Sequence, residues 1–407
     1  LLINFKGKMN AFETTINAGS TFGGAKVLAT VDANENFRAD LDMLDFDMGR
    51  LLKNNKMYGP VSLTALVSGQ GLNTKTMKAK ISADVSQIYL NQYLYHNLTV
   101  NGTANGQAYA GKINLKDKNA VFVLDGLVNM TPRQEKYKFH LNVEGVDLQQ
   151  LKLTERDIRF AMDATADMEG GTLNTMNGTA GINNLIVTHN GKKYQLDSVM
   201  LASVNQVDKS DFDFRSALLG LRFNGNISPA TLPTVLTAFL NNYFPFSAKK
   251  TQVLAGDTSK FNFEIQLHNH PILSEVLLPE LKEFDPGLIT GSFDNQKKEL
   301  KFNAIMKHIL YGTTEINDLE LDVSSDSTAL DYKLSGAGIS TAQINFESPL
   351  LKGRIADKTI TAGLSSIDKE GNKKLQILTS LTKEKTNYLL KFDPEGFYLM
   401  NKRWDIA

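Results

Sequence analysis

The chain has 407 residues, with 44 Lys and Arg set against 44 Asp and Glu, and no cysteine. Balanced charge leaves no basic stripe for a phosphate backbone, so no nucleic acid partner is expected. Absence of cysteine excludes disulfides, thiolate metal sites and thiol nucleophiles, and no apolar run approaches the roughly 20 residues that span a bilayer.

Along the chain, short runs alternate strictly between apolar and polar residues. The pattern predicts strands at Phe37 to Met43, Val61 to Val67, Met77 to Val85, Leu98 to Gly102, Val121 to Val128, Phe139 to Val143 and Phe160 to Ala166. Further strands are predicted at Leu185 to Thr188, Tyr194 to Leu201, Phe212 to Ser216, Leu221 to Asn224 and Phe261 to Leu267. The series continues at Leu300 to Met306, Leu319 to Val323, Leu330 to Leu334, Gln343 to Phe346, Thr359 to Leu364, Leu375 to Leu381 and Tyr388 to Phe392. Asn105-Gly106, Asn177-Gly178, Asn190-Gly191, Asn224-Gly225, Asp125-Gly126 and Glu370-Gly371-Asn372 supply turn chemistry between runs, so most connections are expected to be hairpins.

Two stretches break the alternation. Ser228 with Pro229 reads as a helix start, followed by Leu232, Val235, Leu236, Phe239, Leu240 and Tyr243 at helical spacing until Pro245. A second candidate starts at Pro271 and carries Ile272, Leu273, Val276, Leu277 and Leu281, with Pro279 expected to end it early. Their apolar stripes suit a cap on the sheet or, alternatively, a membrane or partner contact. The segments accordingly divide as 1–227, repetitive β-groove; 228–284, helix-containing insertion with an intervening strand; and 285–407, continued β-groove.

A loose internal repeat accompanies the strands. Phe46-Asp47-Met48-Gly49-Arg50-Leu51 before Val61 resembles Val146-Asp147-Leu148-Gln149-Gln150-Leu151 before Phe160. Asn97-Leu98, Asn184-Leu185 and Asp318-Leu319 each read as an Asn or Asp that opens a one-sided strand. The expected fold class is therefore all-β: an elongated, mainly antiparallel curled sheet with one or two short amphipathic helices.

Little in the sequence points to catalysis. The six histidines are scattered, and only His268 and His270 form a pair, without a third metal ligand nearby. Asp40, Asp42, Asp163, Asp167, Asp211 and Asp213 sit on polar strand faces, where a solvated surface accounts for them better than paired acid and base. There is no phosphate-binding glycine loop and no Gly-x-Ser-x-Gly elbow. The expectation is a protein that is not an enzyme and uses no cofactor or metal.

Open twisted sheets rarely exceed about 10 strands without curling, and this chain holds many more, so the sheet must curl. A curled one-sided sheet is a trough with an apolar floor, which suits phospholipid acyl chains because each buried methylene gains about 0.8 kcal/mol. The candidate groove-lining residues are Leu63, Val67, Phe139, Leu141, Val143, Phe160, Met162, Phe212, Phe214, Phe261, Phe263, Ile265, Phe302, Leu319 and Leu321. The same alternation suits apolar faces that cover one another. A carbohydrate-binding β-protein would want exposed aromatics, and Trp404 alone offers little.

The one-sided strands, the Asp147-Leu148-Gln149-Gln150-Leu151 turn, the strand-opening Asn-Leu-x-Val, and the passage from Tyr243-Phe244-Pro245 through Phe261-Asn262-Phe263 to Leu277-Leu278-Pro279-Glu280-Leu281 together resemble the TamB branch of the AsmA-like proteins, particularly those of Bacteroidetes. The resemblance covers essentially the whole chain, as an internal section of a longer protein; the chain opens at Leu1 with no initiator Met, signal peptide or anchor. It implies a β-taco groove in the periplasm, in a full-length protein anchored in the inner membrane. It also implies movement of phospholipids between inner and outer membrane, with a TamA-like assembly barrel as partner through regions outside this section. The alternative it carries is a scaffold for assembly and secretion of outer-membrane and autotransporter proteins. A monomer is expected.

Overall fold

A computed structural model describes residues 2–8, 11–246, 258–343, 345–385, 387–393, 396–399 and 402–404. The fold is all-β, with 68% strand and 6% helix, its strands forming an antiparallel, curled and unclosed sheet. Contacts divide the chain into two compact units, Leu1–Met200 and Leu201–Ala407.

The first unit is a meander. Twelve strands, from Leu2–Lys8 to Asn177–His189, pair each with the next. Each rung of an antiparallel ladder points its two side chains to one face, so alternation in every strand builds two faces of opposite polarity. Strands absent from the sequence reading, notably Ala11–Ser20, Gly23–Val31 and Ala108–Asp117, are ordinary members of the meander.

A crease runs across this unit near one end of its strands. The register slips between Met43 and Phe46, between Ser62 and Leu63, between Val143 and Val146, and between Ala161 and Asp163. Asp45, Asn97 and Asn184 take left-handed backbone, with φ of 50°, 55° and 51°, a conformation Asn and Asp tolerate better than other side chains. These bulges correct the sequence reading of Asn97, Asn184 and Asp318 as strand openers. Each lies inside a long strand, Tyr93–Asn105, Asn177–His189 or Thr314–Ser325, and the strand continues on both sides. An extra residue bends a strand and shifts its phase. Apolar positions therefore run Tyr93, Tyr95, then Leu98, and the tyrosines still pack with Leu98, Leu115 and Phe122. Recurring near one end of several strands, the bulges bend the sheet there.

The internal repeat is real at the level of geometry. Asp47 Oδ1 accepts the Arg50 N–H at 3.0 Å and Asp147 Oδ1 accepts the Gln150 N–H at 2.9 Å, each just beyond a register slip.

The second unit has more irregular pairing. Lys260–Leu267 pairs with Gly287–Asp294, Leu281–Phe284 with Glu299–Tyr311, and Ala329–Ser335 with Leu350–Ala356. The strand expected at Gln343 to Phe346 is observed as Asn345–Glu347, and Ile344 lies outside the described residues. The expected helix is present as a 3-10 turn Pro229–Thr231, with Ser228 Oγ accepting the Ala230 N–H, followed by an α-helix Leu232–Leu240. The second candidate is a single π-type turn, Ile272–Leu277, that stops before Pro279.

The helix buries its apolar stripe on the sheet. Phe239 is 2% exposed and meets Phe293 edge-on at 4.9 Å and Tyr243 at 5.3 Å. Around it gather Phe223, Phe261, Leu330 and Ile355, with Leu232, Val235, Leu236 and Leu240 on the helix side. Tyr243 Oη donates to the Asp326 carbonyl at 2.6 Å, and the Lys358 N–H donates to the Tyr243 carbonyl, fixing the segment after the helix. This helix caps its own unit's sheet.

Candidate functional site

In the first unit the registers align apolar positions into continuous rows across the strands. One row reads Ile3, Ile16, Val27, Leu41, Ala65, Ala83, Val100, Ile113, Leu124, Leu141, Ala164 and Ile182, apolar at every strand. Beside it runs Phe5, Thr14, Ala29, Ala39, Val67, Ile81, Gly102, Gly111, Gly126, Phe139, Ala166 and Ala180. Two flanking rows, from Val31 through Ala79 and Tyr109 to Met168 and from Met43 through Val85 and Phe122 to Met162, complete the face. None of the four carries a charged side chain.

The face is open to solvent along its middle. Leu41, Ile81, Val100, Ile113, Leu124, Phe139 and Leu141 are half-buried, whereas buried residues such as Ala79, Ala104, Val85 and Leu115 belong to the flanking rows. Two faces packed on one another would bury the middle first, so this face is a trough and not half of a sandwich. A slot lies over Gly102, Gly111 and Gly126, three glycines on successive strands. A Cβ on Gly111 would lie 2.3 Å from the Asn101 carbonyl oxygen, and one on Gly126 2.3 Å from that of Lys138. Backbone therefore forms the floor, Tyr109, Val128, Ile113 and Leu124 stand as walls, and Ile81 and Phe139 close the ends of a cavity of about 290 Å³. Four strand spacings of about 4.8 Å make that slot about 19 Å long, and two residues of rise make it about 7 Å wide, the dimensions of one extended acyl chain lying across the strands.

In each unit the opposite face is polar and self-neutralising. Lys138 Nζ and Asp167 Oδ2 lie 2.7 Å apart, as do His140 Nε2 and Asp163 Oδ2, and Lys209 reaches Asp211 at 2.8 Å. Hydrogen bonds from His140, Lys138, Lys209 and Arg215 hold the carboxyls of Asp163, Asp167, Asp211 and Asp213 below the usual carboxylate range. A glycosidase-type acid needs the reverse shift, so these side chains are surface pairs. His270 Nδ1 accepts the Ile272 N–H and His268 donates its backbone N–H to Leu218, and among the described residues no three His, Cys, Asp or Glu converge on a metal position.

The sequence reading missed one buried polar group. Asp117 is 2% exposed at the crease end of the trough. It accepts from Tyr93 Oη at 2.5 Å, the Asn119 N–H at 2.9 Å and the His96 N–H at 3.1 Å, and it lies 3.2 Å from His96 Nδ1. Burial raises the Asp117 pKa, but these donors outweigh it and hold the group ionised; burial pushes the Tyr93 phenol up to about 12, its hydrogen bond to Asp117 adding to the effect. The signal available in sequence, an Asp before a Lys-Asn turn, is too common to single it out.

All fifteen candidate lining residues lie on the apolar faces of their units. Leu63, Val67, Phe139, Leu141, Val143, Phe160 and Met162 belong to the first, and the open middle includes Val67, Phe139 and Leu141. In the second, Phe212, Phe214, Phe263, Ile265, Phe302, Leu319 and Leu321 share registers on one face, while Phe261 is covered by the helix at 1% exposure. On that second face a Cβ on Gly291 would meet the Phe263 ring at 2.2 Å, while Tyr332, Gly353, Gly363 and Leu378 line an open cavity of about 800 Å³.

The site thus belongs to the class of open, one-sided β-troughs without a charged floor. No family model, curated protein or solved structure matches the chain.

Proposed function

We propose that the apolar troughs hold phospholipid acyl chains, which slide across the strands in a periplasmic bridge between inner and outer membrane, serving outer-membrane biogenesis. The observation that supports this most is the row from Ile3 to Ile182, twelve strands without one polar side chain, half-open to solvent. No chemical step is involved in this reading: affinity comes from burying methylenes at about 0.8 kcal/mol each. The periplasmic location, the inner-membrane anchor of the full-length protein and the TamA-like barrel partner come from the family resemblance and stand as parts of the proposal. Among the described residues no helix is long and apolar enough to cross a membrane.

The test is native mass spectrometry with lipid extraction on the chain purified from bacterial periplasm without detergent. Phospholipid is expected to co-purify. In Leu141→Asp, lost contact with about three methylenes lowers occupancy on the order of fiftyfold. A lipid-free, stably folded chain, or full occupancy in Leu141→Asp, overturns the reading.

A further inference from the structure

The two copies of the internal repeat differ in what they do with their leucines. In the second copy Leu151 is 3% exposed, packed with Leu115 and Ala120. In the first, Leu51 is 59% exposed and Leu52 51%, although the Asp cap is the same. Their charges differ too. Residues 148–157 mix Lys152 and Arg156 with Glu155 and Asp157, whereas 48–57 carry Arg50, Lys53 and Lys56 and no carboxylate. Asp47 takes up Arg50 at 3.0 Å, and no ion pair among the described residues takes up Lys53 or Lys56.

Other exposed apolar groups adjoin this turn. The Asp47 N–H donates to the Phe22 carbonyl at 2.7 Å, and the Asn91 N–H to the Met57 carbonyl at 2.8 Å, which ties the neighbouring turns together. The Arg50 guanidinium lies over the Phe22 ring at 5.4 Å. Leu44, pushed outward beside the Asp45 bulge, is 66% exposed, and Met57 is exposed as well.

We propose that this strip docks on the surface of an anionic phospholipid bilayer, Leu44, Leu51, Leu52 and Met57 entering the boundary between headgroups and acyl chains and Lys53 and Lys56 meeting the phosphates. Exposed leucines beside Lys53 and Lys56 match that interface in polarity and charge, with Asp47 paired to Arg50 and Asp45, next to Leu44, hydrogen-bonded to Ser62. A protein partner would have to bring its own carboxylates to Lys53 and Lys56, and residues 48–57 offer no acidic group in return. The proposal is independent of the trough, because the strip lies on the turns at the strand ends.

The experiment uses the full chain with Trp404→Phe and Leu52→Trp, titrated with vesicles of phosphatidylglycerol and phosphatidylethanolamine and, separately, of phosphatidylcholine. Expected are co-sedimentation with the anionic vesicles and a blue shift of the new tryptophan. Lys53→Ala with Lys56→Ala should weaken binding on the order of thirtyfold, at about 1 kcal/mol per surface lysine. Leu51→Ser with Leu52→Ser, scored by sedimentation alone, should weaken it at low salt also. Equal binding to both vesicle types, or binding unchanged in either double variant with an unaltered circular dichroism spectrum, overturns the proposal. So does a blue shift that grows with protein concentration without vesicles, which marks a second copy of the chain as the occupant.

Discussion

Truncating one side chain in each unit tests whether the first trough is open. Phe239 is 2% exposed, wedged between Phe293 and Tyr243 and ringed by Phe261, Leu330 and Ile355. Replacing a buried Phe by Ala loses the transfer energy of the ring and leaves a cavity, about 3–5 kcal/mol in total, and the edge-on ring pairs put this site towards the upper part of that range. Leu124 is half-buried in the slot wall, facing solvent across the glycine floor. Its truncation leaves no enclosed cavity and removes only part of a leucine's burial, so Leu124→Ala should cost about 1 kcal/mol. Because the chain has two units and one global unfolding energy is ill-defined, the assay is hydrogen exchange read by mass spectrometry. The peptides to follow are those covering Phe261–Leu267 and Gly287–Asp294 in one unit and Ala120–Asn129 in the other. Phe239→Ala should strip protection from the first two and spare the third. If Leu124→Ala costs as much as Phe239→Ala, the first face is closed on itself and the trough argument fails.

The Asp117 cluster sets a pH window for the first unit. The folded Asp117 carboxyl sits below its ordinary 3.8, so its contribution is complete above that value and is lost as pH falls through the folded pKa. Tyr93 is raised from 10.0 to about 12, so its contribution is complete below 10.0 and is lost as pH rises through about 12. Exchange protection in Tyr93–Asn105 should therefore be flat between these limits and fall outside them, and Tyr93→Phe should remove the alkaline fall. Asp117→Asn should cost about 1.5–3 kcal/mol, since buried donors lose a charged acceptor. At the crease, Asn97→Val places a β-branched residue at a φ of 55° and should cost about 1–2 kcal/mol, while Asn97→Gly should be nearly neutral by thermal or urea unfolding; equal costs for the two would show that the left-handed backbone is not what the asparagine provides.

How much was legible follows from how each strand announces itself. Phe261, Phe263, Ile265 and Leu267 alternate with polar residues over the whole strand, and the prediction matches it to within one residue. Ala108–Asp117 escaped because Gly111 interrupts its apolar positions and small residues stand beside it, and Gly287–Asp294 because Gly287 and Gly291 occupy two of its apolar positions. A glycine on the apolar face reads as a break although it is the floor of the slot. Asn97, Asn184 and Asp318 were misread for a related reason: the bulge flips the phase of alternation, so a period of two ends there even though the strand does not. Asp117 was invisible because its partners, Tyr93 and His96, are brought to it only by pairing of the crease-end strands. In the trough itself, alternation identified the face, but only register could tell which residues stand open and which lie under the helix.

The two units apply one sequence pattern to different ends. In both, an apolar face is built from rungs of Phe, Leu, Ile and Val with glycines set among them. In the first, Tyr109, Val128, Ile113 and Leu124 stand beside Gly102, Gly111 and Gly126 and leave a slot between them. In the second, Phe263 lies over Gly291, and an aromatic helix covers the row that holds Phe261 and Phe293. A glycine on a strand weakens it unless something packs into the space left by the missing side chain. At Gly291 the second unit fills that space with the Phe263 ring, whereas the slot over Gly111 in the first stays open. A glycine floor, apolar walls and a half-exposed middle are costly for a face with no occupant, and that cost supports the acyl-chain occupant proposed for the first unit.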